Sequence, residues 1–502
     1  MKATRVIALV LTLVTLLGML ASCGGGGNVV NDGGDRTGDS WEGVDFKGQE
    51  VGLRISTNRY EECSFPAANI YTKGPDVADS NEVTKEVLAR NARAEAELGI
   101  KIVYSENNLT YLDIREDIEK IVLNSAKNSP DIYNNDMYGL SRAMVDGYLW
   151  NVKNPGDDVK NYFDFTKDGW YTEFMKGSTF DQEKLYILAG DYFIDMIRMA
   201  WVVYVNNDIL NAKLGMLPDW CKDFYEYVDD RIWDLDIMAD IANRVHVDAG
   251  ETGVTDSEDT TIGAVINNTT DWVVPASSQV TLYYQDKENG YKPSVMQDVG
   301  TYQMMANKYV DMSNTLGVYY EAEVIASTNY FLKGNVLFAF SRLGEMESAG
   351  LRDFDAAKAL VPVPMWDTDY QDDYHTMIHD QAELAAILNT AKAYSAASAL
   401  MQFLNEESGS VVNAYYDKGL KYKYNSDSNA RKMMDLVRET TDAPFGFQIG
   451  ILSQELYTDT TNPLVGMKNA RFNDTCSSTF ASEKDAYVDC MNKMIAKFDK
   501  MQ

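Results

Sequence analysis

The sequence predicts an α/β fold divided into at least two lobes. The chain has 502 residues, more than one hydrophobic core usually serves. Its composition, 45% apolar and 24% charged, is that of an ordinary globular protein. From residue 50 onward, short runs of strand formers alternate with stretches of helical periodicity.

The N-terminus comes first. Lys2 and Arg5 precede an apolar stretch from Val6 to Leu17, broken only by Thr12 and Thr15, and Leu20-Ala21-Ser22-Cys23 follows. The apolar run is too short to cross a bilayer and gives way to Gly and Asp, so residues 1–22 read as an export signal. A small-residue cleavage site ending in Cys resembles a bacterial lipobox, which implies a diacylglyceryl group on Cys23; the competing reading is a plain signal peptide. Several acyl chains on Cys23 anchor a protein stably where one does not. Residues 23–44 hold mainly Gly, Asn, Asp, Ser and Thr and are expected to form a flexible tether.

Lys and Arg number 45 against 76 Asp and Glu, a net charge of −31. This excludes nucleic acid, whose binding rests on neutralised phosphates, and a polybasic grip on anionic lipid. Cys63, Cys221, Cys476 and Cys490 remain after Cys23. Export permits disulfides, and four cysteines allow three pairings. Cys476 and Cys490 are close enough in sequence to pair; free buried thiols are the alternative for all four.

In the body, Glu50 to Ser56 reads as a strand. Asp79 or Ser80 caps a helix with Val83, Val87, Ala94 and Leu98 on one face, stopped by Gly99. Ile100 to Ser105 is a strand, and Thr110 opens a helix. Pro130 resets the chain into a short strand at Asp131-Ile132-Tyr133. This alternation implies parallel pairing with right-handed crossovers. Leu185 to Ala189 and Met199 to Val205 read as strands, Asp208 to Gly215 and Trp233 to Arg244 as helices, and Thr261 to Ile266 as a strand. Ser294 to Leu316 is helical. Val336 to Phe340, Leu360 to Val363 and Leu384 to Leu388 are further strands. The last hundred residues are mostly helical, ending on a face marked by Ala486, Tyr487, Cys490, Met494 and Phe498.

Several ordered segments resemble extracellular solute-binding proteins of family 1, the group that includes maltose-binding protein. Lys127-Asn128-Ser129-Pro130-Asp131-Ile132 is similar to that family's "PD(I/V)" element, and Tyr204 to Leu210 to its "YNKDL" step. Phe331 to Phe338 is similar to "F-x-x-G-K-x-A-M", and Leu360 to Pro364 to its "PxP" strand end. Trp233-Asp234-Leu235 sits where the family often starts a helix. Asn207 in place of the usual Lys, and Ser341-Arg342-Leu343 in place of a glycine-aromatic step, are departures. The resemblance covers about residues 45 to 425. It implies a two-lobed periplasmic-binding-protein type II fold with crossing hinge strands near Arg198, near His379 and late in the C-terminal helices. Lobe 1 is expected over 45–193 and 383–435, and lobe 2 over 194–382 and 436–502. It implies a monomer that carries a small solute, a sugar above all, to ABC permease subunits, lipid-anchored at the outer face of the cell membrane, with no catalysis and no cofactor.

Sugar sites combine planar polar groups that pair with adjacent hydroxyls and aromatic faces that stack on the ring. In open α/β sheets, ligands sit beyond the carboxyl ends of the strands. The candidates are therefore Asn58, Asn135 and Asp136, Asp191, then Asn268, Asp271 and Trp272, with Arg342 and His379. Turn capping is the structural alternative for Asn135 and Asp136, and a salt bridge for Arg198. The acidic, aromatic run around Trp366 reads as a solvated loop; it lacks the Gly and terminal Glu of a calcium loop. His375 and His379 stand four apart but lie outside any HExxH pattern, so no metal is expected. A lipid-anchored glycoside hydrolase would need two carboxylates about 5–9 Å apart. A surface sensor or adhesion protein is the third reading.

Overall fold

The computed structural model describes residues 32–58, 67–76, 81–109, 111–124, 129–178, 183–219, 223–248, 260–280, 283–286, 292–295, 299–321, 324–423 and 428–443, with isolated positions between 478 and 500. The export signal, Cys23, the other four cysteines and the face expected from Ala486 to Phe498 lie outside them.

In chain order the strands are β1 (Gln49–Ser56), β2 (Ile100–Asn107), β3 (Ile132–Asp136), β4 (Trp201–Asn206), β5 (Ile262–Asn267), β6 (Tyr283–Asp286), β7 (Lys292–Val295), β8 (Val318–Glu321), β9 (Val336–Arg342), β10 (Lys358–Pro362), β11 (Thr376–Met377), β12 (Glu383–Ile387) and β13 (Thr441–Ala443). The principal helices are α1 (Glu82–Leu98), α2 (Ile114–Asn124), α3 (Met137–Val145), α4 (Leu235–Val245), α5 (Thr270–Ser277), α6 (Val299–Ser313), α7 (Tyr394–Glu406) and α8 (Ser428–Glu439).

Two sheets organise two lobes. The lobe 1 sheet has the order β12-β3-β1-β2, with β1 parallel to β2 and β3, and β12 antiparallel to β3. The lobe 2 sheet has the order β10-β4-β9-β5-β8, where β5, β8 and β9 are parallel and β4 runs against β9 and β10. Every residue of β4, β5 and β9 is buried. That is why these strands read as nearly unbroken apolar runs: helices and loops cover both faces. The apolar residues form two clusters: one joins the lobe 1 sheet to one face of the lobe 2 sheet, through Val202, Tyr204, Val265, Ala339 and Leu360, and the other covers the opposite face of the lobe 2 sheet.

Local signals set the elements. Asn81 caps α1 by accepting from the Val83 amide, and Gly99 ends it at φ 61°, a left-handed conformation that favours glycine. On α4, Leu235, Met238, Ile241, Ala242 and Val245 are all buried; each large side chain contributes about 1.5–3 kcal/mol. The helix lies against the sheet backbone: a Cβ at Gly263 would stand 2.3 Å from the Ala242 Cα.

Two expectations are corrected. Leu185 to Ala189 is not a regular strand. It is buried and joined to the outer edge of β12 by a single isolated bridge, Leu188 with Ala385, instead of a continuous ladder. The helix expected from Ser294 starts at Val299, since Ser294 pairs with Tyr284 in the β6–β7 hairpin.

The chain passes from lobe 1 to lobe 2 between Gly190 and Trp201, and back between Met377 and Glu383. These crossing segments pair with each other: Ala200 bridges Ile378, and the His379 amide donates to the Met199 carbonyl at 2.9 Å. Later, α8 packs against β10 of the lobe 2 sheet, with Ala430, Met433 and Leu436 in one cluster and Met434 and Val437 in the other.

Candidate functional site

Both sheets turn the carboxyl ends of their parallel strands toward the crossing segments. In lobe 1 this edge is a band of amides and carboxylates. Asn58 donates to the Leu109 carbonyl at 2.9 Å, holding together the ends of β1 and β2. Asn135 lies on β3 itself and is buried; its side chain donates to Asn107 at 3.5 Å and accepts from the Asp136 amide at 2.8 Å. Asp136 caps α3, accepting from the Gly139 amide at 2.8 Å. The strand expected to end at Tyr133 thus runs three residues further, because pairing with β12 continues to Asp136 and Glu383. Asn134 donates to Glu383 at 3.3 Å, and the Glu383 amide to Asp195 at 3.1 Å.

In lobe 2, Asn268 and the half-buried Trp272 flank the end of β5. Asp271 is fully buried and accepts from the Tyr309 hydroxyl at 2.6 Å. Arg342 ends β9, fully buried and 2.9 Å from Glu345. It is the register partner of Trp201, whose ring stacks on His379 at 5.9 Å. His379 is itself buried and 2.9 Å from Asp380. The structure therefore gathers Asn58 and Asn135 at one edge, Asn268, Asp271 and Trp272 at another, and Arg342 with His379 beside the crossing.

Asp191 stands apart from these. It accepts from Arg438 at 3.0 and 3.1 Å and from Tyr171 at 3.3 Å. This ion pair lies in a groove of about 630 Å³ lined by residues including Asp168, Trp170, Tyr171, Asp435 and Arg438. Burial raises the Asp191 carboxyl, against the lowering effect of Arg438.

Sequence reasoning did not assemble the group around Glu347. Glu347, just beyond β9, accepts from Arg198 at 2.7 Å, Tyr71 at 3.1 Å and Tyr415 at 2.6 Å. Arg198, on the crossing segment, is fully buried and also bonded to Asp195 at 2.9 Å. Burial works against its charge, but the Glu347 and Asp195 carboxylates outweigh it and raise the guanidinium further. Burial and the adjacent Glu347 raise both phenols, so they stay protonated and donate. Tyr71 packs in the lobe 1 core, and Tyr415 lies on a π-helical stretch, Asn413–Lys423, that follows α7. One lobe 2 carboxylate is thereby clasped by lobe 1 and by the hinge.

Tyr111 and Tyr138 were also missed. Their rings meet edge to face at 5.3 Å, and Tyr138 joins the lobe 2 core from the start of α3 in lobe 1. An aromatic two residues past a polar strand end was the available signal for Tyr138. Glu347 and Tyr415 had none, being 68 residues apart. Among the described residues, no cluster of three or more His, Cys, Asp or Glu could hold a metal ion, and no helix is long and apolar enough to cross a membrane.

No family model matches the chain, and no curated relative does. Solved structures do. The GacH receptor of Streptomyces glaucescens GLA.O, studied unliganded and with acarbose, aligns over 89% of this chain and 99% of its own, at 12% identity and a TM-score of 0.54. The galacto-N-biose-/lacto-N-biose I-binding protein of the ABC transporter from Bifidobacterium longum, in complex with lacto-N-biose, aligns over 89% and 98%, at 10% identity and 0.53. A cyclo/maltodextrin-binding protein complexed with maltotetraose aligns over 91% and 99%, at 12% identity and 0.52. The chain is thus an α/β protein with the two-lobed, type II fold of periplasmic binding proteins. Proteins similar to it in fold are sugar-binding receptors.

Proposed function

We propose that this protein is a lipid-anchored receptor that captures a small solute, a mono- or oligosaccharide, between its lobes and delivers it to an ABC importer. The observation that carries this reading is the shared fold over about nine-tenths of the chain, which includes proteins holding acarbose, maltotetraose and lacto-N-biose. The polar strand ends that face the crossing segments support it. Asn58 and Asn268 offer amides there and the half-buried Trp272 and Tyr111 offer ring faces, while Asn135, bonded to Asn107 and to the Asp136 amide, and His379, stacked on Trp201, hold the edge in place. Asp136, Asp271 and Arg342, already engaged, position their neighbours rather than touch the solute, and Asp191 serves the Arg438 ion pair. The expected boundary at residue 435 falls within α8, which packs on β10.

Closure around the solute shifts the population between open and closed forms. Micromolar affinity, about 8 kcal/mol, suffices. Cys23 carries the anchor, and the chain works as a monomer at the outer face of the membrane. It makes and breaks no bonds in this role.

A thermal-shift screen against a glycan panel tests the reading, followed by small-angle scattering on any hit. A matching sugar raises the melting temperature by mass action and compacts the molecule, and Trp272→Ala weakens the affinity. If no glycan shifts the transition, the sugar reading falls. Release of reducing ends from an oligosaccharide would replace it with the hydrolase.

A further inference from the structure

The polar segment expected to be a free tether up to residue 44 is bound to lobe 1 from Asp32 onward. Trp41 and Phe46 are 7% and 1% exposed. Trp41 stacks on Tyr162 at 5.9 Å and meets Phe403 of α7 at 5.7 Å. The Arg36 guanidinium sits 4.2 Å over the Trp41 ring. Glu406 accepts from Arg36 at 2.8 Å and from the Trp41 indole at 3.1 Å. The Tyr162 hydroxyl donates to the Asp32 carbonyl at 2.6 Å, and Lys160 reaches Asp35 at 2.6 Å and the Gly34 carbonyl. The Asp45 amide closes back on the Gly33 carbonyl at 2.8 Å, and the Phe46 amide donates to Leu98 at the end of α1 at 2.9 Å. These partners outside the segment all belong to lobe 1.

We infer that residues 32–46 are a strap that ties the lipid anchor to lobe 1, making lobe 1 the membrane-proximal half and leaving lobe 2 to swing. The inference rests on acylation of Cys23. Only residues 24–31 then separate the anchor from the strap. Whatever path they take, they reach at most about 30 Å, whereas a leash free to residue 44 would reach about 70 Å. The cation over the indole and the shared Glu406 acceptor are what shorten it. The bilayer is therefore the partner of this face of lobe 1.

The test uses the intact lipoprotein on bilayers of phosphatidylethanolamine and phosphatidylglycerol. The mass of the N-terminal peptide first shows whether Cys23 is acylated. Hydrogen exchange then reads the amides of residues 33–46, and neutron reflectometry the gap between headgroups and protein. The expected result is slow exchange and a narrow gap, with Arg36→Ala/Trp41→Ala speeding exchange and widening the gap about 1.7-fold, as the coil length predicts. Glu406→Gln, a milder change outside the strap, moves both in the same direction. An acylated protein whose strap exchanges like free chain, or whose gap is the same in native and variant forms, overturns the inference while leaving the receptor reading intact. An unacylated Cys23 overturns the anchor and the strap's role together.

Discussion

Glu347 shows how much one side chain can set. Arg198, Tyr71 and Tyr415 all donate to it. Replacing Arg198 with Met leaves the buried Asp195 carboxylate, and the partly buried Glu347, without their cation, and breaking a buried pair this way costs about 3–5 kcal/mol; urea denaturation checks it. Asp191 gives a prediction in pH. Its folded value is raised by burial, so protonation favours the native state. That contribution is fully present below the ordinary value of 3.8 and is lost as pH rises through the raised one. Asp191→Asn should therefore gain on the native protein between acid and neutral pH, measured as unfolding free energy at each. A stability difference that does not change with pH would show the carboxyl to be unshifted. At this scale the sequence is a partial guide. Asn58 was placed just past the end of β1, whereas Asn135 and Asp136, expected in the loop after Tyr133, lie on β3 itself. The Glu347 group joins segments that only tertiary folding brings together, and no local pattern announces it.

At the scale of elements, periodicity was informative where packing agrees with it. The face of α4 and the apolar runs of β4, β5 and β9 were legible because their burial is regular. Leu185 to Ala189 misled because an apolar, strand-forming run can be buried without a ladder. Asp131 shows how elements are joined. Its carboxylate accepts from the Gly52 amide and from the Lys392 and Ala393 amides, each at 2.9 Å, tying β1 and the start of β3 to the entrance of α7. Burial raises this carboxyl and the three amides oppose the rise. Asp131→Asn replaces one acceptor with a donor facing an amide. The expected loss is about 1–3 kcal/mol, read as a lower denaturation midpoint with unchanged slope. A variant as stable as the native protein would show that the three bonds are dispensable.

For the whole molecule, two lobes were legible from length and from the order of short motifs, since the fold repeats the same logic of parallel strands feeding one edge. Their division late in the chain has no local signature, since the periodicity of α8 does not say which sheet it packs on. The crossing is where the two halves meet the same backbone. Its segments bridge each other at Ala200 and Ile378, with the His379 amide bonded to Met199, and each runs directly into a sheet strand, β4 or β12. Any swing of one half against the other must therefore pass through these two short stretches, and a pair of dyes, one on each half, would register it as a change in their separation.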